Sequence, residues 1–290
     1  MSKSYLITGG ARGQGRAIAL KAASQGANVA LVDVCHDLDT VPYTLGSEDD
    51  LDTTRTMVEQ LGARCLTIVG DVRSQQDMDA AVTATIDRFG ALDVLCASAG
   101  VHSFVPLWEM DDDTWSTVLD VNLTGVWRGI KAVAPHMIAR EQGSIVITSS
   151  VMGHESGKDL AHYAASKHGV LGLMKSTAYE LGRYGVRCNA VLPSVVHTAM
   201  GENPETRKWI FGRDDATTAD YIQATKHWHL LPGRPGLPPS AIADAVVWLS
   251  SDEARYITGV ELPVDAGHLQ LQGFNHEVVE REGEAVGPWY

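Results

Sequence analysis

Seven short β-rich runs recur along this chain, at 5–8, 28–33, 65–69, 92–97, 144–149, 187–192 and 260–264, and each is almost continuously apolar. Continuous rather than alternating apolar character is what a strand buried on both faces requires. Helical patterns lie between them, at 14–24, 75–89, 113–139, 161–183 and 240–249, and another begins at Ser47, where Asp50 completes a capping box. Strand–helix alternation over the whole length predicts an α/β fold: a single-domain, Rossmann-type, doubly wound parallel sheet with helices on both faces. No linker, repeat or low-complexity tract divides it. At 290 residues the chain is long enough to bury a large core.

The first strand runs into Thr8-Gly9-Gly10-Ala11-Arg12-Gly13-Gln14-Gly15, which opens the first helix. Glycines here permit a tight turn and let backbone approach a pyrophosphate seated on the helix N-terminus. A glycine cluster alone is a weak signal; its place between a strand and a helix strengthens it. Asp33 ends the second strand, where a carboxylate can accept hydrogen bonds from an adenosine ribose and repel a 2′-phosphate, which favours NAD over NADP. Arg12 is the counter-signal, because a basic loop residue can reach a phosphate. Asp71-Val72 ends the third strand, with Asp71 suited to an adenine amino group. Ser98-Ala99-Gly100 ends the fourth, where small residues let a cofactor lie close to the sheet.

Tyr163 and Lys167 stand four apart in His-Tyr-Ala-Ala-Ser-Lys, on one face of a helix. A free tyrosine titrates near pH ~10 and is a poor base at neutrality. A neighbouring cation favours the phenolate, so the pair is predicted to form a general acid/base with a depressed phenol pKa. His162 and His168 flank the pair, and helical spacing turns them toward packing or surface roles.

The formal net charge of −13 argues against non-specific nucleic-acid binding and against docking on anionic lipid. Cys35, Cys65, Cys96 and Cys188 show no CxxC or metal spacing and read as buried free thiols, so no metal is predicted. A strand begins almost at the first residue and no apolar run nears the ~20 residues that span a bilayer. The expectation is a soluble, cytoplasmic protein with no membrane partner.

The glycine loop, Asp33 and the Tyr-x-x-x-Lys helix together resemble the short-chain dehydrogenase/reductase family over nearly the whole chain. Further motifs match in order: Asn122 in Asp-Val-Asn-Leu-Thr-Gly, Ser150 in Ile-Thr-Ser-Ser-Val, and Pro193-Ser194-Val195-Val196-His197-Thr198. The resemblance implies hydride transfer between NAD and a carbinol carbon. Tyr163 would move the alcohol proton, Lys167 lower its pKa and bind the nicotinamide ribose, and Ser150 orient the substrate oxygen. Asn122 would hold a water linking Lys167 to solvent, and Val196 and Thr198 would fix the carboxamide. Ser98 and Ser194 depart from the family's usual Asn and Gly, at positions that carry no chemistry.

Closer marks, among them Ala-Arg-Gly-Gln-Gly, Val-Asp-Val-Cys before a long link, and Val-Asn-Leu-Thr-Gly-Val-Trp, are similar to the carveol-dehydrogenase-type, mycofactocin-linked group. That similarity implies oxidation of cyclic or terpenoid secondary alcohols, and an external electron acceptor if bound NAD does not exchange. Residues 1–267 are expected to form the NAD-binding domain, 199–239 a substrate lid, and 268–290 a tail that reaches a neighbouring subunit or is disordered. Phe104, Val151, His154, Met200, Trp209 and Trp228 are expected to line the pocket for a small hydrophobic alcohol or ketone. The resemblance also implies a homotetramer. Two other readings stand beside this one: a ketone or 3-oxoacyl reductase of the same fold, and a non-catalytic NAD-sensing protein.

Overall fold

The computed structural model describes residues 2–231 and 236–271. Strands β1 (Ser4–Thr8), β2 (Asn28–Asp33), β3 (Cys65–Val69), β4 (Val94–Ala97), β5 (Gly143–Thr148), β6 (Val186–Pro193) and β7 (Glu261–Val264) make one sheet in the order β3-β2-β1-β4-β5-β6-β7. Every pairing is parallel. The helices that flank it are α1 (Gly13–Ser24), α2 (Glu48–Gln60), α3 (Gln75–Phe89), α4 (Asp112–Leu119), α5 (Gly125–Ala139), α6 (Ala161–Leu181), α7 (Pro204–Phe211), α8 (Thr218–Thr225) and α9 (Pro239–Ser250).

Successive strand residues point to opposite faces, and both faces are covered. Tyr5, Ile7, Val29 and Leu31 pack with Ile18 and Ala22 of α1 and Ile242 and Val246 of α9. Leu6, Ala30 and Val32 face the other way, onto Ala81 of α3, Val133 of α5 and Met174 of α6. Burial of this kind contributes roughly 1.5–3 kcal/mol per large aliphatic side chain before entropy is charged against it. The strand order reverses between β1 and β4. The chain winds outward to β3 and then returns beside β1, which leaves a crevice at the carboxyl ends of these strands.

Three segments differ from the reading of the sequence. The stretch 113–139 is not one helix: α4 ends, a π-helical turn covers Asp120–Thr124, and α5 follows. The extra residue per turn places Asn122 inward, and such turns gather at functional sites. The segment 199–239 carries two short helices where described: Asn203 caps α7, and Thr217 with Asp220 forms a capping box on α8. Its α7 and α8 have only eight residues each, too few to stand out from loop composition. The link after β2 folds over the strand ends and buries Leu38 and Tyr43 against Val101 and Val118. The capping box of α2 forms as read, with Asp50 N donating to Ser47 Oγ at 3.1 Å.

Cys65, Cys96 and Cys188 are buried free thiols, while Cys35 is only half-buried. Among the described residues no helix is long and apolar enough to cross a membrane, and no cluster of His, Cys, Asp and Glu could hold a metal. The tail beyond residue 271, with Trp289 and Tyr290, lies outside the described residues, as do 232–235.

Candidate active site

The crevice holds two joined spaces. The first, about 150 Å³, lies over the β1–α1 turn and is lined by Gly9, Arg12, Gly13, Gln14, Gly15, Asp33, Asp71, Val72, Ala99 and Gly100. Its glycines are there for steric reasons. Gly9 has φ +70°, and a Cβ on it would stand 2.9 Å from Ala99 Cα. A Cβ on Gly15 would collide with the Gly9 carbonyl. The turn therefore brings bare backbone to the helix N-terminus, where an anionic group is stabilised. Asp33 Oδ2 accepts a hydrogen bond from Ala11 N at 2.9 Å, so the carboxylate holds the loop while lining the cleft. Arg12 lines the cleft, and its guanidinium donates to the Thr44 carbonyl across it. Asp71 is held by Arg73, whose Nε donates to Asp71 Oδ2 at 2.8 Å. Burial opposes the Asp71 charge, but the Arg73 contacts outweigh it and lower its pKa.

The second space, about 370 Å³, is lined by Ser150, Val151, Tyr163, Lys167, Pro193 and Val196 on one side and by Phe104, Trp209 and Trp228 on the other. Gln14, Ser98, Gly100, Thr198 and Met200 line both spaces and join them. Phe104 and Trp209 stack with centroids 4.6 Å apart, which ties α7 to the loop after β4.

Tyr163 and Lys167 share a face of α6, with the Lys167 ammonium 5.4 Å from the phenol ring centroid. Lys167 Nζ donates to the Thr148 carbonyl at 2.8 Å. The expected depression of the phenol pKa is not what burial produces. Desolvation pushes Tyr163 up to about 12, partly opposed by its hydrogen bond with Ser150. Desolvation also pulls Lys167 down to about 8. Low dielectric penalises both charged forms, and the pair spacing alone does not reveal that. Ser150 Oγ accepts from Met152 N at 3.1 Å and lines the cavity.

Asn122 does not line either space. Its Oδ1 accepts from Val101 N at 2.8 Å, and its Nδ2 donates to the Val101 carbonyl at 2.9 Å and to Ser166 Oγ at 3.1 Å. A Cβ placed on Gly100 would lie 3.4 Å from Asn122 Oδ1 and 3.8 Å from Lys167 Nζ, so the three groups converge. His154 is a correction. The turn Val151–Gly153 carries it away from the cavity, and its Nε2 pairs with Glu261 at 2.7 Å. His162 is fully buried, with Nε2 2.7 Å from Ser103 Oγ, and His168 turns back on the Ala164 carbonyl.

Reading the sequence missed several lining residues, of which four bear on the chemistry and shape of the site. His102 lies edge-on to Tyr163 with centroids 5.8 Å apart, and burial lowers its pKa to about 4, which keeps it neutral. Tyr43 accepts from His102 N at 3.1 Å and lines the cleft. Glu155 and His268 line the far end of the cavity. The only signal for His102 was its place just after a strand end, where sites of this fold gather. The others had none.

Two buried oxygens, Gln14 Oε1 and Ser98 Oγ, have no hydrogen-bond partner, and both residues line the junction of the two spaces. Buried polar atoms of this kind call for a bound partner. Together with the glycine cradle and Asp33 they fit a dinucleotide lying along the crevice. Fold and site thus define an oxidoreductase of the doubly wound dinucleotide-binding class.

Comparison with known proteins narrows the class. A family profile described as enoyl-(acyl carrier protein) reductase matches residues 9–268. The chain is 44% identical over 267 residues to (-)-trans-carveol dehydrogenase of Rhodococcus erythropolis, spanning 90% of this chain and 95% of that one. It superposes on the crystal structure of carveol dehydrogenase from Mycobacterium avium in complex with NAD with a TM-score of 0.90 at 40% identity, covering 93% and 98% of the two chains. A short chain dehydrogenase from Mycobacterium paratuberculosis bound to NAD matches with a TM-score of 0.83 at 35% identity, over 93% of this chain and 98% of that one. The chain belongs to the short-chain dehydrogenase/reductase family.

Proposed function

We propose that this chain is an NAD-dependent dehydrogenase that interconverts cyclic or terpenoid secondary alcohols and their ketones. The observation that carries the reading is the placement of Tyr163, Ser150 and Lys167 around an aromatic-walled cavity that opens directly onto the glycine cleft. NAD, when bound, supplies the hydride acceptor for oxidation. Gly9, Gly13, Gly15 and Arg12 would cradle its phosphates, Asp33 its adenosine ribose and Asp71 its adenine. Thr198, Val196, Pro193 and Gly100 would border its nicotinamide end, and the carveol dehydrogenase relatives, with two solved structures holding NAD, support the choice.

The residues of the chain do the proton work. Ser150 Oγ holds and orients the substrate oxygen. Tyr163 takes the alcohol proton during oxidation and returns it during reduction, a role worth roughly 10² to 10⁴ in rate. The high phenol pKa keeps Tyr163 protonated at neutrality, ready for reduction. Oxidation requires the phenolate, which Lys167 favours by its charge. The oxidation rate therefore rises with pH, and the reduction rate does not. Asn122, clamped on Val101, holds the π-helical turn beside Lys167, where a water could relay the proton. His102 stays neutral and packs Tyr163 in place.

Phe104, Val151, Met200, Trp209 and Trp228 form an apolar wall suited to a hydrophobic ring and exclude water from the reacting atoms. Residues 199–239 act as the lid of a domain running to about residue 267. Arg12 on Thr44 and Tyr43 beneath His102 strap the link after β2 over the cleft, which favours retention of NAD and use of an external acceptor. The enzyme acts in the cytoplasm as a homotetramer in this reading, and exposed Trp108, Trp115 and Trp127 on the α4–α5 side offer apolar surface for a subunit contact. A screen of cyclic secondary alcohols for NADH formation, repeated with a dye acceptor, tests the reading. Absence of turnover with every cyclic alcohol in both formats would sink it.

A further inference from the structure

At the cavity end remote from Tyr163, three chain segments meet on one imidazole. His268 follows β7, Glu155 follows the turn after β5, and Trp228 belongs to the lid segment. His268 Nδ1 lies 2.7 Å from the Trp228 carbonyl oxygen, and Nε2 lies 2.8 Å from Glu155 Oε1. Both neighbours are acceptors. A carbonyl has no proton to give, and Glu155, with its side chain 39% exposed, keeps its carboxylate in contact with water. A neutral imidazole has one N–H and satisfies only one of these contacts; an imidazolium satisfies both. We propose that His268 is a positioning residue, an imidazolium clasp that fastens the lid to Glu155 and thereby sets the size of the substrate cavity.

The surroundings agree with this assignment. Burial works against a charge on His268, but its hydrogen bonds to Glu155 and Trp228 and the nearby charges of Glu155 and Asp265 outweigh it, so its pKa is raised. From the lid, the ring of His229 faces it at 6.4 Å, and His229 Nε2 is itself 2.7 Å from Ser194 Oγ. From its own segment, Asp265 is occupied by backbone, with Oδ1 accepting from Gly267 N and Oδ2 from Leu269 N, both at 2.9 Å. The lid is docked beside the clasp as well: Leu230 N and Leu231 N both donate to the Ala266 carbonyl, at 3.0 and 3.1 Å. Among the described residues, His268 is the side chain that hydrogen-bonds both to the 226–231 turn and to the segment following Ser150.

The sign follows from the raised pKa. The clasp is complete below the His268 pKa and loses one of its two bonds as pH rises through it. Loosening the lid enlarges the space for a bulky ring, so the effect falls on KM for large cyclic alcohols more than on small ones.

The test reads protonation directly and needs no substrate. The ¹⁵N spectrum of the full-length protein is expected to show both His268 nitrogens protonated at neutral pH, with titration above the free-histidine value. Hydrogen exchange at residues 226–231, corrected for the chemical rate, is expected to accelerate across that titration. His268→Gln should show the fast exchange at every pH, and Glu155→Gln should move the titration downward. With a bulky and a small secondary alcohol, the KM of the bulky one relative to the small one should fall roughly 10-fold over the same interval, the change expected for losing one hydrogen bond to a charged group. This last arm rests on the proposed dehydrogenase activity; the first two stand if that activity is absent. A neutral His268 at pH 6.5, or lid exchange unchanged across its titration, overturns the clasp. If His268→Gln does not fold, the wild-type titration and Glu155→Gln decide the question.

Discussion

The two halves of the crevice are built by opposite means. The nucleotide half is largely backbone: glycines, a helix N-terminus and the carboxylates of Asp33 and Asp71, most of it within a few positions of the ends of the first four strands. The substrate half is side chain: Tyr163 from α6, Ser150 after β5, Phe104 after β4, Trp209 from α7 and His268 after β7. The first half tolerates almost no change in shape, because a Cβ at Gly9 or Gly15 meets backbone. The second can be refitted by exchanging side chains. A fold that keeps its cofactor while changing its substrate needs this division, since one end meets an invariant ligand and the other a variable one.

The largest expected effect breaks the substrate half at its chemical centre. Tyr163→Phe should lower NADH formation by roughly 10² to 10⁴, while NAD binding, followed by fluorescence quenching, stays within severalfold. Equal losses in both measurements would refute the division. Next comes the carboxylate of the nucleotide half. Asp33→Ala removes a charged acceptor that also holds Ala11 N, and should reduce the preference for NAD over NADP by roughly 10- to 100-fold in kcat/KM. Gly9→Ala should cost about 1–2 kcal/mol for its positive φ, more if Ala99 cannot yield, and weaken NAD binding with every substrate alike.

The substrate half answers more gently away from Tyr163. Trp209→Ala removes the stack on Phe104, worth about 0.5–1.5 kcal/mol beyond its buried area, and should raise KM for ring alcohols while sparing NAD affinity. The smallest effect is on stability. The folded pKa of Lys167 is depressed to about 8, so the folded state holds fewer protons than the unfolded chain between there and the ordinary lysine range. Stability from this site should rise with pH through that window, and the Tm difference between wild type and Lys167→Met should shift accordingly.

Much of the fold was legible because it rests on local rules. Continuous apolar runs marked strands covered on both faces, and the Ser47–Asp50 box forms as its spacing requires. The π-helical turn at Asn122 was not legible, since a one-residue insertion into a helix leaves the apolar period nearly unchanged. In the site, the spacing of Tyr163 and Lys167 predicted their shared face but not the sign of the tyrosine shift. That sign depends on how deeply both are buried, a property of the whole packing. His154 looked like a pocket residue by its closeness to Ser150 in sequence, yet one turn of backbone sends it to Glu261.

The sequence by itself determined the sheet, the glycine-rich turn after β1 and the phenol–ammonium pair, because each follows from residues within one or two elements. Only the tertiary structure decided that His102 braces Tyr163, that Tyr43 and Thr44 close over the cleft, and that His268 meets Glu155. Those contacts join residues separated by as many as 113 positions. No local period or spacing encodes such a meeting; it exists only once both faces of the sheet are covered and the segments that follow the strands are folded over their ends.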